Sequence, residues 1–107
     1  MTGAAIILVL AGLLIMWIAV RSWQGRLSRN FAAGVRTPST MRSDEAFLTA
    51  NKVAAPFTLI GGLLFVVTGL VAAVVPLRTA EAVLPTGVLI AAVVMVIGGV
   101  RGVRAVR

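Results

Sequence analysis

The chain has 107 residues, room for one domain, with 60% hydrophobic residues, 12% charged residues and a formal charge of +7. Soluble domains are about half apolar and about a quarter charged, and short chains keep much of their surface exposed, so this composition excludes an ordinary water-soluble globule. The chain has no cysteine and no histidine, and its only acids are Asp44, Glu45 and Glu81; that excludes disulfides, thiolate chemistry and the commonest metal ligands, and leads us to expect no metal, no cofactor and no enzyme.

Gly3 to Val20 forms the first element, 18 residues without a charge. A helical span needs about 20 apolar residues at ~1.5 Å each, so this run is a minimal span. Arginine follows the run and does not precede it, the reverse of a secretory leader. We therefore expect a retained anchor. Trp17 and Trp23 sit around its end, where indole prefers the membrane interface.

A long basic connection, residues 21–52, comes next. Trp23, Leu27 and Phe31 fall at i, i+4 and i+8, with Arg21, Arg26 and Arg29 mostly off that face, the pattern of an amphipathic helix on the membrane surface. Gly34 suits its C-terminal cap, and Thr37-Pro38 calls for an extended or turn conformation. Ser43 then reads as the N-cap of a new helix, with Asp44 and Glu45 at its positive end. Phe47, Leu48 and Val53 give that helix an apolar side, and it is expected to run on through Pro56, which should kink it or mark where an interfacial segment turns into the membrane. Arg36 and Glu45 either staple the connection as a bidentate pair or remain solvated charges.

Val53 to Leu77 gives the second span, 25 residues, and Ala82 to Val100 the third, 19 residues. Pro76 is expected to close the second and Pro85 to lie near the first turn of the third, where its missing N–H costs little. Small residues recur on each span: Ala5, Gly12 and Ala19; Ala55, Gly62 and Gly69; Gly87, Ala91, Gly98 and Gly102. Such faces let backbones approach in lipid, either inside one bundle or against a second copy or a partner. Thr58 and Thr68 are the clearly polar residues within the spans, and no ionisable residue lies there, which argues against a pump or a coupled transporter.

The charges orient the chain. Arg21, Arg26, Arg29, Arg36, Arg42 and Lys52 lie in the long connection and Arg101, Arg104 and Arg107 at the C-terminus, whereas Arg78 stands alone between the second and third spans. The positive-inside rule places the long connection and C-terminus in the cytoplasm and the N-terminus outside. Juxtamembrane cations account for the net charge, so no nucleic-acid partner is expected. The fold class is thus an all-α membrane protein: three transmembrane helices, spans 3–20, 53–77 and 82–100, with a cytoplasmic amphipathic loop over 21–52, in one domain over 1–107. The Ala, Val, Gly and Arg bias points to a GC-rich bacterial genome, and so to a bacterial cell membrane.

Asn30, Gly34-Val35-Arg36-Thr37, Thr40, Ser43, Glu45, Phe47 and Asn51 together resemble the signature N-x-x-x-G-[IVY]-R-T-x-x-[TS]-x-x-S-x-E-x-W-x-x-x-[HN] of the SdpI family of small bacterial membrane proteins. The similarity is close over roughly residues 30–70, including Gly61-Gly62, and continues elsewhere by hydropathy and topology. Phe47 stands where tryptophan is usual, and Pro56 where a small residue is. The resemblance implies a minimal family domain. The family is named for an immunity protein that protects its producer from a secreted peptide toxin and is thought to hold a transcriptional repressor at the membrane. By that resemblance, Asn30, Gly34, Arg36, Thr37, Thr40, Ser43, Glu45, Phe47 and Asn51 are the candidate binding motif. The expected partners are the lipid bilayer, another membrane protein or a peptide, and a second copy of the chain. Two functions are in view: toxin immunity or signal reception, and, as the alternative, a small accessory subunit of a larger membrane complex. An anionic-lipid sensor built on the juxtamembrane arginines stays open beside them.

Overall fold

The chain's architecture was taken from a computed structural model, which describes residues 2–24, 41 and 43–106. Three helices make up the described fold: α1 (Thr2–Trp23), α2 (Asp44–Val74) and α3 (Leu77–Ala105). Each is long and apolar enough to cross a membrane. Valine and isoleucine are mediocre helix formers in water. In hydrocarbon a helix is nonetheless favoured, because it satisfies every backbone N–H and C=O within the segment. Side chains such as Ile7, Leu10, Leu14, Val74, Leu89 and Val96 project outward and are largely exposed, as expected of a lipid-facing surface.

Ser43 starts α2 as the sequence suggests. Its backbone is extended (φ −160°, ψ 162°), and its hydroxyl oxygen accepts a hydrogen bond from the Ala46 N–H at 3.0 Å. From there α2 runs 31 residues without a break, through Pro56. At 1.5 Å per residue it is about 46 Å long, well beyond the ~30 Å of bilayer hydrocarbon. About two turns therefore extend past the charge-free stretch that begins at Val53.

Two boundaries differ from the sequence reading. The second helix stops at Val74, with Val75 as its C-cap, and Leu77 belongs to the third helix. Pro76 is the N-cap of α3, and its carbonyl accepts the Ala80 N–H at 2.9 Å. Consequently α3 begins at Leu77 and not near Ala82, and Pro85 lies inside it, not in its first turn. Arg78 and Glu81 interrupt the apolar run, but they do not interrupt the helix.

The chain runs up, down and up, and α1 and α3 both pack along α2. On the α1 side, Ala5, Gly12 and Ala19 are buried, as are Ala55, Gly62 and Gly69 of α2. The two sets run antiparallel. A Cβ on Gly12 would lie 2.6 Å from the Gly62 carbonyl oxygen, and one on Gly69 would lie 2.7 Å from the Ala5 carbonyl oxygen. On the other side, a Cβ on Gly61 would run into Met95, one on Gly98 into Phe57, and one on Gly102 into the Ala50 carbonyl. The adjacent glycines of the doublet thus serve different neighbours, Gly62 facing α1 and Gly61 facing α3. A step of one residue turns a helix by about 100°, which is the angle separating the two seams.

Polar side chains within the spans are satisfied locally. Ser22 donates to the Ile18 carbonyl at 2.8 Å and Thr58 to the Ala54 carbonyl at 3.2 Å. Among the described residues no buried side-chain nitrogen or oxygen lacks a partner.

Candidate functional site

The antiparallel packing gathers Arg21, Lys52, Arg101 and Arg104 at one end of the bundle, where α1 and α3 finish and α2 begins. Arg78 and Glu81 lie at the opposite end, beside the α2–α3 connector. Ala50 against Gly102 and Phe57 against Gly98 fix the register of α2 and α3, and this register brings Lys52 and Arg101 to nearly the same level. Below that level, two turns of α2 and the last turn of α3 project together beyond the apolar span.

That projection has its own small core. Ala46, Ala50 and Val106 are buried against one another. Phe47 is completely buried, and it is the one large side chain among the described residues to be so. It lies six positions before the charge-free stretch, so protein atoms, not acyl chains, cover it. Asn51 is buried one turn further on, and its Nδ2 donates to the Phe47 carbonyl at 2.9 Å. Ser43, Phe47 and Asn51 follow one side of the helix at spacings of four, with Ser43 exposed at the cap and the other two buried.

Glu45 faces a different way. It is exposed, and with Ser43, Ala46 and Thr49 of α2 and Ala105 and Val106 of α3 it borders an open cleft of about 280 Å³. The motif residues Asn30, Gly34, Arg36, Thr37 and Thr40 lie outside the described residues, as does the amphipathic segment expected after Trp23. Of the pair read either as a staple or as solvated charges, Arg36 lies outside the described residues and Glu45 is exposed.

Cations at this end rest on aromatic faces. The Arg21 guanidinium stands 5.3 Å from the centroid of the Trp17 ring, one turn back on α1, and Arg101 stands 5.4 Å from that of Phe57 across the α2–α3 seam. Such contacts contribute about 0.5–1 kcal/mol at exposed sites, and they hold the positive groups at the level where a membrane headgroup would sit. Trp17 and Trp23 are both more than half exposed, consistent with an interfacial belt.

Some site-forming residues escaped the sequence reading. Ala46, Ala50 and Ala54, spaced by four, face Val106, Gly102 and Gly98, also spaced by four; the signal was present as a small-residue repeat that starts ahead of the apolar run. The aromatic partners of Arg21 and Arg101 carry no local signal for the second pair, because Phe57 and Arg101 meet only through the register of two helices.

Compared with known proteins, the chain matches the family model described as SdpI/YfhL protein family over residues 26–100, more than half of its length. No curated protein and no solved structure matches it.

Proposed function

The chain belongs to the SdpI/YfhL protein family, and from that premise we propose that it serves in toxin immunity or signal reception at the bacterial cell membrane. In this reading the arginine-rich end and the C-terminus face the cytoplasm and the N-terminus lies outside. A secreted peptide is met from the membrane or the outer side, and the motif at the inner end passes on or resists its effect.

The observation that supports this best is the continuity of α2. A single helix, Asp44–Val74, carries Ser43, Glu45, Phe47 and Asn51 at its start and reaches the α2–α3 connector at its far end. Packed on both sides by close backbone contacts, it is a stiff element joining the two membrane surfaces. A displacement at the connector would be carried along one continuous helix to the motif, with Pro56 as its one interior proline.

No catalysis is assigned. Asp44 and Glu45 begin α2, whereas Glu81 lies near the start of α3, at the other end of the bundle. The alternative of an accessory subunit draws on the glycine-rich faces. Gly12, Gly62, Gly69, Gly98 and Gly102 all make their close approaches inside this bundle, so among the described residues that reading would draw on the outward aliphatic surface.

The experiment is to delete the gene and challenge cells with the peptides that sibling strains secret into the medium, then restore the wild-type chain or a Phe47→Ala chain. Loss of survival on deletion, restored by the wild type, supports the proposal. Survival that is indifferent to the deletion opposes it, and a gentle-detergent pull-down that recovers stoichiometric partners would then favour the accessory subunit.

A further inference from the structure

The side of the α1–α2 seam nearest the arginine-rich end carries an apolar groove of about 300 Å³, lined by Ala19, Val20, Trp23, Gln24, Ala55, Pro56 and Leu59. We propose that this groove is a binding site for an anionic glycerophospholipid, with phosphatidylglycerol as the occupant. One acyl chain lies against Val20, Ala55 and Leu59, and the headgroup sits beside Arg21 and Lys52.

Three features of the site select a lipid of this chemistry. The first is shape: Val20 and Leu59 are exposed at 44% and 38% and open the groove sideways, while Ala19 and Ala55, at 1% and 2%, form its floor. A flexible acyl chain conforms to such a shallow trough. The second is charge: Lys52 lies one turn before Pro56, on the same face of α2 as Ala55, Pro56 and Leu59, and Arg21 ends α1 at the same end of the bundle, its guanidinium over the Trp17 ring, so both cations stand near the level of a headgroup phosphate. The third is an acceptor: Pro56 has no N–H to offer the Lys52 carbonyl four residues earlier, so this carbonyl lacks its usual helical donor at the rim. The glycerol hydroxyls of phosphatidylglycerol are donors, and a choline headgroup has none.

The opposite end of the same seam provides an internal comparison. A second apolar groove, about 270 Å³, is lined by Ala5, Ile6, Val9, Leu10, Gly69, Leu70 and Ala73. It has the same aliphatic character, but Arg78 is the one described cation at that end of the bundle, against Arg21, Lys52, Arg101 and Arg104 at the other. Bulk lipid suffices there, and selectivity is expected only at the arginine-rich end. This inference is independent of toxin immunity and holds for either functional reading.

The test uses the full chain in detergent micelles, exposed to equal amounts of phosphatidylglycerol and phosphatidylcholine with matched acyl chains and read by native mass spectrometry. The wild type should retain phosphatidylglycerol at least about five-fold better than phosphatidylcholine, since one juxtamembrane cation contributes about that factor. Arg21→Gln should cut the preference by about five-fold, and Arg21→Lys should keep most of it. Leu59→Trp, which fills the groove from its exposed rim, should remove the retained lipid while circular dichroism shows unchanged helix content. Equal retention of the two lipids by the wild type, retention of neither, or undiminished phosphatidylglycerol binding in both Arg21→Gln and Leu59→Trp would overturn the proposal; the last result would mean that the lipid sits elsewhere or that another segment of the chain fills the groove.

Discussion

Gly12 and Gly62 approach each other reciprocally: a Cβ on Gly12 would lie 2.6 Å from the Gly62 carbonyl oxygen, and a Cβ on Gly62 would lie 2.8 Å from the Gly12 carbonyl oxygen. Neither helix can accept a side chain without moving its neighbour's backbone. Inside lipid the hydrophobic effect does not hold helices together, so this close van der Waals contact is what joins α1 to α2. Gly12→Leu should therefore weaken the bundle by about 1–3 kcal/mol or more. Gly3→Ala is the control: a Cβ at Gly3 meets nothing within 4 Å, so the change should fall within about 0.5 kcal/mol of the wild type. Reversible unfolding in mixed micelles, followed by tryptophan fluorescence, measures both. Equal losses at the two positions would contradict the assigned seam.

Cross-linking reads the α2–α3 register directly, and the absence of native cysteine makes the background clean. Ala46 and Val106 are buried in the same small cluster. An Ala46→Cys, Val106→Cys double variant should form an intramolecular disulfide on mild oxidation, seen as a shift in monomer mobility that reductant reverses. A Thr79→Cys, Val106→Cys pair, from opposite ends of α3, should not. Cross-linked dimers in place of the monomer shift would show that the cluster is completed between copies.

The cap at Ser43 is a local device with a local readout. Its hydroxyl accepts the Ala46 N–H, and loss of such a cap costs about 1 kcal/mol. Ser43→Ala should make the first-turn amides of α2 exchange with deuterium about five-fold faster, leaving those beyond Val53 unchanged. Ser43→Asp should keep the protection, because a carboxylate caps equally well and suits the helix dipole.

Phe47 supplies the sharpest stability prediction. It is fully buried outside the apolar span, so Phe47→Ala leaves a protein-lined cavity that lipid does not fill. The expected loss is about 3–5 kcal/mol, by analogy with large-to-small substitutions in soluble cores. Phe47→Leu should lose less. Thermal unfolding in micelles checks both, and a loss under about 1 kcal/mol for alanine would mean that the ring is not a core residue.

Three charge-free runs made the spans legible, because length and apolarity are read directly against bilayer thickness. The ends were less legible. Arg78 and Glu81 suggested that the third helix begins near Ala82, yet a helix continues wherever its backbone can, and Pro76 is what starts it. Small-residue stripes were visible at Gly12, Gly62, Gly69, Gly98 and Gly102, but a stripe names a face and not its neighbour. That Gly61 and Gly62 serve different helices follows only once α2 is central. In the motif, the cap at Ser43 could be read from residue type and position. The burial of Phe47 and Asn51 could not, because it depends on packing between elements and not on the local sequence.

Topology is the most direct measurement. Thr79→Cys and Ala105→Cys single variants place one thiol near each end of the bundle, and a membrane-impermeant maleimide is applied to intact cells. Thr79→Cys should label at once, and Ala105→Cys only after the membrane is permeabilised. Immediate labelling of Ala105→Cys, with Thr79→Cys protected, would put the arginine-rich end outside and contradict the proposed orientation.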